Sequence, residues 1–300
     1  MRASVIHLSP TRAAFRYLSC ARLAEILILQ GSPLLGAAFA ISRPGGEHVA
    51  PIAILTAANI CLVAHIFMLN DWAGLRTDVT DPNKAAVVFT TRGIDARELG
   101  ALTVILLVAA LFLFSRLGPM TLGLAIAIAA LSALYSLPRF NWKGRPILNS
   151  AAHLAGGTLH FLVGYSVVSG LDERGLVTAT FFGLTFAAGH LTQEIRDYQG
   201  DVLNEIRTNA ATFGRRRTFT ASLVLFTLAY AVLLVLALEG IIPRPLAVLV
   251  ALYSFHLRWS LRALREGLTY ASIHRLQTRY RMLYVIIGMA MITALVTTHH

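Results

Sequence analysis

Nine apolar stretches follow one another along the chain, at roughly 18–41, 50–69, 98–115, 119–136, 148–170, 175–192, 218–238, 244–257 and 282–298. Their apolar residues come in blocks rather than in the stripes of a surface helix, and Leu99 to Phe114 and Leu223 to Leu238 carry no charge at all. Such blocks approach the ~20 residues that a helix needs to cross the core of a bilayer. The pattern predicts an all-α fold, a polytopic membrane bundle of about nine transmembrane helices. Tight turns near Gly118-Pro119, Asp172 and Pro243 join some of the stretches. They alternate with longer, charged connections at 70–97, 137–147, 193–217 and 258–281. No internal repeat interrupts this order, so residues 1–300 read as one transmembrane domain, opened by a basic cytoplasmic segment at 1–17.

Composition agrees with this reading. Charged residues make up 14% of the chain and mean hydropathy is +0.65, whereas a soluble domain carries about 25% charge. The formal net charge of +11 would suggest nucleic acid in a soluble protein; here it follows topology instead. Of 26 basic residues, all but Arg43, Arg116, Arg174 and Arg244 fall in the N-terminal stretch or the four long connections. The positive-inside rule then puts those loops in the cytoplasm. The expected location is an integral, multi-pass membrane, the inner membrane if the source is bacterial. Cys20 and Cys61 lie in or beside apolar stretches and read as packing residues without a disulfide.

Acidic residues are scarce, and two groups of them open directly from membrane stretches. The first runs Asn70-Asp71-Trp72-Ala73-Gly74-Leu75-Arg76-Thr77-Asp78 and continues to Asp81-Pro82-Asn83-Lys84. The second runs Glu194-Ile195-Arg196-Asp197-Tyr198-Gln199-Gly200-Asp201. On a helix Glu194, Asp197 and Asp201 share a face, which His190 extends into the membrane. Oxygen-rich groups of this kind suit Mg2+, a hard cation that is usually held by one or two carboxylates together with substrate phosphates. Two groups on one side of the membrane could clamp a diphosphate between them. Arg139, Lys143 and Arg145 in the third loop are placed to complete such a pocket.

At these residues the chain resembles the UbiA superfamily of intramembrane prenyltransferases, whose nine-helix members carry a first motif N-D-x-x-D-x-x-x-D and a second D-x-x-G-D. Asp197 to Asp201 matches the second, with Thr208 and Gly214 downstream, and Tyr135-Ser136-Leu137-Pro138-Arg139 through Lys143 is similar to the family's tyrosine-plus-basic segment. The resemblance runs from about Arg22 to Met291. It implies an Mg2+-dependent enzyme that ionises an allylic isoprenyl diphosphate and transfers the prenyl group to an aromatic or lipid acceptor. It further implies Asp71, Asp78, Asp197 and Asp201 as catalytic metal ligands. Asn70, Arg22, Tyr135, Arg139, Lys143 and Glu194 are then expected at the substrate.

Gly74 departs from the family pattern, standing where the middle aspartate is expected. Asp71 and Asp78 would lie roughly 10 Å apart on a regular helix, too far for one ion to take both directly. Either the two serve different ions or the helix breaks at Gly74, and Asp81 is a candidate for the missing carboxylate. The altered motif keeps open a terpene cyclase that needs no acceptor. A transporter is disfavoured, because the acids lie at loop entrances rather than at the membrane midplane. Within the spans, Gln30 and Glu25 are expected to line a cavity. His153 and His160 are expected to pack or line rather than bind metal, and Gly156-Gly157 to admit a close helix neighbour.

Overall fold

A computed structural model describes residues 22–43 and 45–298; the basic segment 1–17 and the start of the first apolar stretch lie outside the described residues. Among these residues there is no strand. Helices α1 (Leu23–Leu29) and α2 (Gly31–Ala40) form the first span, offset at Gln30. Pro33 supplies the cause, because it has no N–H to give the carbonyl four residues back and its ring crowds that carbonyl. Helices α3 (Val49–Asp78), α4 (Ala96–Ser115), α5 (Pro119–Ser136), α6 (Leu148–Tyr165) and α7 (Glu173–Arg196) follow. After the short α8 (Tyr198–Leu203) and α9 (Asn209–Phe213) come α10 (Arg215–Leu238), α11 (Tyr253–Arg265) and α12 (Tyr270–Thr298).

The termini of these helices follow local chemistry. Asp95 and Glu98 form a reciprocal capping box on α4, Pro119 opens α5 at its first helical position, and the Asp172 carboxylate accepts the Gly175 N–H at 2.7 Å to cap α7. Seven helical segments among the described residues are long and apolar enough to cross a membrane. The fifth expected stretch forms the 18-residue α6. The eighth runs through a 3-10 stretch at Arg244–Leu252 directly into α11, so the segments follow the expected order and their number is about nine.

Neighbours in sequence pack together: α3 on α4, α6 on α7, α7 on α10. Helix α12 then returns against α2 and α7 to close the bundle. Outward positions such as Val104, Ile105, Val108 and Phe112 on α4 are exposed and apolar, as lipid-facing positions must be. Inward faces use small residues where helices meet. A Cβ on Gly164 of α6 would overlap the backbone of Pro33 on α2, and one on Gly157 would meet Phe186 on α7. Gly156 meets only Leu131, at an ordinary 3.7 Å, so Gly157 alone of that pair admits the close neighbour.

One set of polar groups inside the spans is paired within the bundle. Gln30 donates to the Ile26 carbonyl at 2.9 Å and accepts from Asn59 at 2.8 Å, and Asn59 Oδ1 lies 2.8 Å from His160 Nε2. The chain of bonds ties α1/α2, α3 and α6 together, so Gln30 and His160 serve helix association rather than an open cavity. Gly164→Leu is expected to force α2 and α6 apart, at a cost of roughly 1–3 kcal/mol or more. A thermal midpoint in detergent several degrees below that of the unaltered protein checks this; an unchanged midpoint would contradict the close packing.

Candidate functional site

Both acidic motifs emerge at the same end of the bundle, and one cation joins them. Helix α3 runs unbroken through Gly74 to Asp78, which removes the expected alternative of a helix break there. Beyond it the chain turns back, and Lys84 Nζ comes to 3.8 Å from Asp78, 3.7 Å from Asp81 and 3.2 Å from Asp197. The carboxylates of Asp78 and Asp197 can therefore be no further apart than the first and last of those distances combined. Burial alone would lower the Lys84 pKa, but Asp197, Asp78 and Asp81 together raise it, so the ammonium keeps its charge.

The first motif divides into two. Asp71 pairs with Arg22, whose guanidinium also lies 5.4 Å over the Phe67 ring. Asn70 beside it is half-buried. Asp78 leans toward the helix N-terminus, as helical side chains do, and a Cβ on Gly74 would lie 3.3 Å from its Oδ2. The room that a middle aspartate's side chain would enter is thus bordered by Asp78 itself. Asp81 is nearly sealed from solvent at 3% exposure and accepts the Asn83 N–H at 2.9 Å. Its carboxylate presses on Gly200, where any Cβ would overlap it. The glycine of the second motif is accordingly a point of contact with the first.

In the second motif Asp197 receives Arg196 at 2.8 and 3.2 Å as well as Lys84. Burial pushes its carboxyl up, yet the hydrogen bond and charge of Arg196, with Lys84, hold it below the ordinary carboxylate range. Arg196 is steadied by Gln277 of α12 at 3.2 Å, and Gln277 by Thr192 at 3.3 Å. Asp201 behaves oppositely. Burial, with the Asp197 charge added, outweighs Lys143 and Lys84 and raises it to about 6. Thr208, which caps α9, donates to it at 3.2 Å, and Gly214 takes φ 86 to turn the chain into α10.

Glu194 is engaged by protein on all sides. Asn149 donates to it at 2.5 Å, Asn209 at 3.1 Å and the Ala210 N–H at 3.2 Å. His190 Nε2 lies 3.1 Å away without hydrogen-bond alignment. Tyr135 at the end of α5 stands edge-on to His153 at 4.9 Å, within electrostatic reach of Glu194, Asp197 and Asp201. Lys143 is half-buried and close enough to Asp201 to act on it. Arg139 stays at the exposed rim, 6.0 Å from the Phe140 ring, with no ion pair among the described residues.

Several contributing residues gave no clear signal in the sequence. Lys84 lay within the first acidic run, but nothing in the run announced that it would reach the second. Asn149 and Asn209 are the buried amides that join α6, α7 and α9, with Asn209 also accepting the Ile147 N–H at 2.8 Å. Asn204 reaches across to the Thr77 carbonyl at 3.1 Å and the Thr80 hydroxyl at 2.6 Å. A polar residue at the mouth of an apolar span was the one available hint.

The donor chemistry fits a hard divalent cation. It offers carboxylate oxygens on two sides, but no three acidic, histidine or cysteine side chains among the described residues close on a single point. A cation here would need further oxygen ligands from a substrate or water. The raised Asp201 carboxyl gives a stability prediction. Its charged form is disfavoured in the fold, so the penalty is full above about pH 6 and vanishes below the ordinary value of 3.8. In chelator-treated protein Asp201→Asn is expected to raise stability at pH 7.5, by up to roughly 3 kcal/mol, with most of the gain gone by pH 4. Thermal melts at the two pH values check this; equal midpoints at pH 7.5 would contradict it.

Comparison with known proteins places the bundle in a known fold. A structure of a UbiA homolog from Archaeoglobus fulgidus bound to GPP and Mg2+ superposes with a TM-score of 0.73 at 16% identity, over 93% of this chain and 99% of that one. The same homolog bound to DMAPP and Mg2+ gives 0.68 at 15% identity over 93% and 99%. A structure from work on digeranylgeranylglyceryl phosphate synthase in membranes gives 0.71 at 15% identity over 95% and 99%. At these identities the likeness is one of fold. No curated protein sequence gives a significant match. The sequence profile of the UbiA prenyltransferase family, however, matches residues 32–295, nearly the whole described bundle: the chain belongs to the UbiA prenyltransferase family, whose members are multi-pass integral membrane proteins.

Proposed function

We propose that this prenyltransferase binds an allylic isoprenyl diphosphate between its two acidic motifs, ionises it and passes the prenyl group to a hydrophobic acceptor, aromatic or lipid. The observation that carries the reading is Lys84, which holds Asp78, Asp81 and Asp197 around one ammonium and so makes one site of two distant stretches of sequence. The relatives bound to GPP or DMAPP with Mg2+ support this substrate class and metal. Asp71, Asp78, Asp197 and Asp201 are the residues to hold Mg2+, which would supply charge neutralisation of the departing diphosphate.

Around that diphosphate the chain's own cations have distinct tasks. Lys84 and Lys143 face the carboxylates from inside the site, while Arg22 and Arg139 wait at its rim, Arg22 on Asp71. Asn70 adds an amide beside Asp71. Glu194, engaged by Asn149, Asn209 and Ala210, braces the frame rather than touching substrate. The apolar bundle receives the prenyl tail and keeps water from the allylic cation. The basic loops put this end of the bundle in the cytoplasm, and residues 1–300 act as one domain.

Pyrophosphate release tests the reading. Purified protein given geranyl, farnesyl or geranylgeranyl diphosphate with Mg2+ is expected to release pyrophosphate from at least one. Asp71→Ala and Asp197→Ala are each expected to lower the rate by at least about a hundredfold while the protein still folds. No release from any chain length, with or without acceptors, would refute the proposal. Cyclic hydrocarbon formed without acceptor would instead select a cyclase. Gly74→Asp sets a second carboxylate against Asp78 and is expected to slow release at least about tenfold, since like charges in contact disfavour one another. Equal or faster release would show that Asp78 tolerates the crowding.

A further inference from the structure

Below the second motif two imidazoles lie face to face inside the bundle. His153 of α6 and His190 of α7 have ring centroids 3.5 Å apart and planes within 6°. Tyr135 closes the stack edge-on, 4.9 Å from His153 and 6.2 Å from His190, and Phe186 lies 6.0 Å from His153 on the stack. Polar rings within a membrane bundle are costly and mark working sites unless they are fully paired. The Gln30–Asn59–His160 chain is bonded from one residue to the next, whereas His190 Nε2 in this stack has no hydrogen-bond partner.

The hydrogen bonds fix the tautomer of His153. Its Nδ1 lies 2.8 Å from the Asn149 carbonyl, an oxygen that can only accept, so Nδ1 carries the hydrogen and Nε2 keeps a lone pair. Asn149 is itself held by Glu194 at 2.5 Å, which fixes the ring's anchor to the second motif. His153 is half-buried where His190 is fully buried, so of the two it retains the accessible surface. Two parallel rings in contact cannot both be cationic, which leaves the pair room for one proton.

Depth decides what that lone pair can reach. His190 precedes Asp197 by seven residues on α7, roughly 10 Å along the helix, with His153 stacked at its level. A diphosphate held at Asp197 with its tail in the bundle would lay its first isoprene unit over that interval. We infer that His153 Nε2 is the proton acceptor of the prenyl transfer, a further catalytic residue that serves a neutral acceptor. The inference rests on the proposed ionisation. When the C1–oxygen bond breaks, its electron pair leaves with pyrophosphate. A hydroxyl or aromatic ring then donates an electron pair to C1. The proton shed as the new carbon–oxygen or carbon–carbon bond is completed passes to Nε2, and the imidazolium returns it to water once product departs. Tyr135 from α5, Glu194 from α7, Asp197 at its end and Lys143 from the third loop are the titratable groups that face the pair.

The test separates ionisation from proton loss. Protein in liposomes of its host's total lipid extract is given labelled geranylgeranyl diphosphate, Mg2+ and, as acceptors, a phenolic acid, a naphthalenediol and a glycerol ether. Pyrophosphate is measured alongside the label in adducts and in prenyl alcohol. His153→Phe keeps a ring of similar shape without the lone pair. It is expected to hold pyrophosphate release within about threefold while adduct falls at least about tenfold and alcohol rises, the scale on which general bases act. Adduct yield unchanged in His153→Phe would overturn the inference. So would adduct and pyrophosphate falling together in both His153→Phe and His153→Gln, or unaltered protein that forms only alcohol. Absence of pyrophosphate from the unaltered protein would instead refute the ionisation on which the inference rests.

Discussion

One lysine ammonium held among three carboxylates organises the working end of this molecule. Removing Lys84 would leave Asp78, Asp81 and Asp197 facing one another without the cation between them, and like charges at close range disfavour one another. Because Asp197 belongs to the second motif and the other two acids to the first, the same contact sets the spacing of α3 and α7 at their polar ends. Gly200 against Asp81 repeats the join in packing, and the Asn204 side chain donating to the Thr77 carbonyl repeats it in a hydrogen bond.

Deeper in the bundle a harsher rule acts, that no polar group in a membrane goes unpaired cheaply. Gln30, Asn59 and His160 satisfy it by bonding to one another across three spans. Glu194 satisfies it with two amides and a backbone N–H, which fixes α6, α7 and α9 beneath the site. The acids of the two motifs stand where that rule relaxes, at helix ends that meet water. There a charge can be held in part by protein and in part by whatever binds.

Much of this was legible in the sequence. Charge-free blocks announced the spans, because a bilayer imposes length and apolarity at once, and the spacing of Asp197, Gly200 and Asp201 announced the second motif. The bounds of the eighth stretch were less legible, since composition does not show where a 3-10 segment passes into the helix that follows it. Gly74 was legible as an anomaly but not as its outcome: the helix continues, and Asp78 borders the vacated room. The partners of Lys84, Asn149 and Asn209 were not legible, because they lie across loops whose paths only the packed helices determine. The stacking of His153 on His190 was hidden for the same reason.

The most direct test of the account is whether Lys84 and Asp197 act as a unit. Binding of a non-ionisable geranylgeranyl diphosphate analogue with Mg2+ can be measured for Lys84→Met, Asp197→Ala and the double variant. Residues in one charge network couple by about 0.5–3 kcal/mol, whereas independent sites add. The account predicts that each single variant weakens binding and that the double variant is weakened far less than the product of the two. Simple multiplication of the two effects would mean that the motifs bind separately, and would contradict the single site.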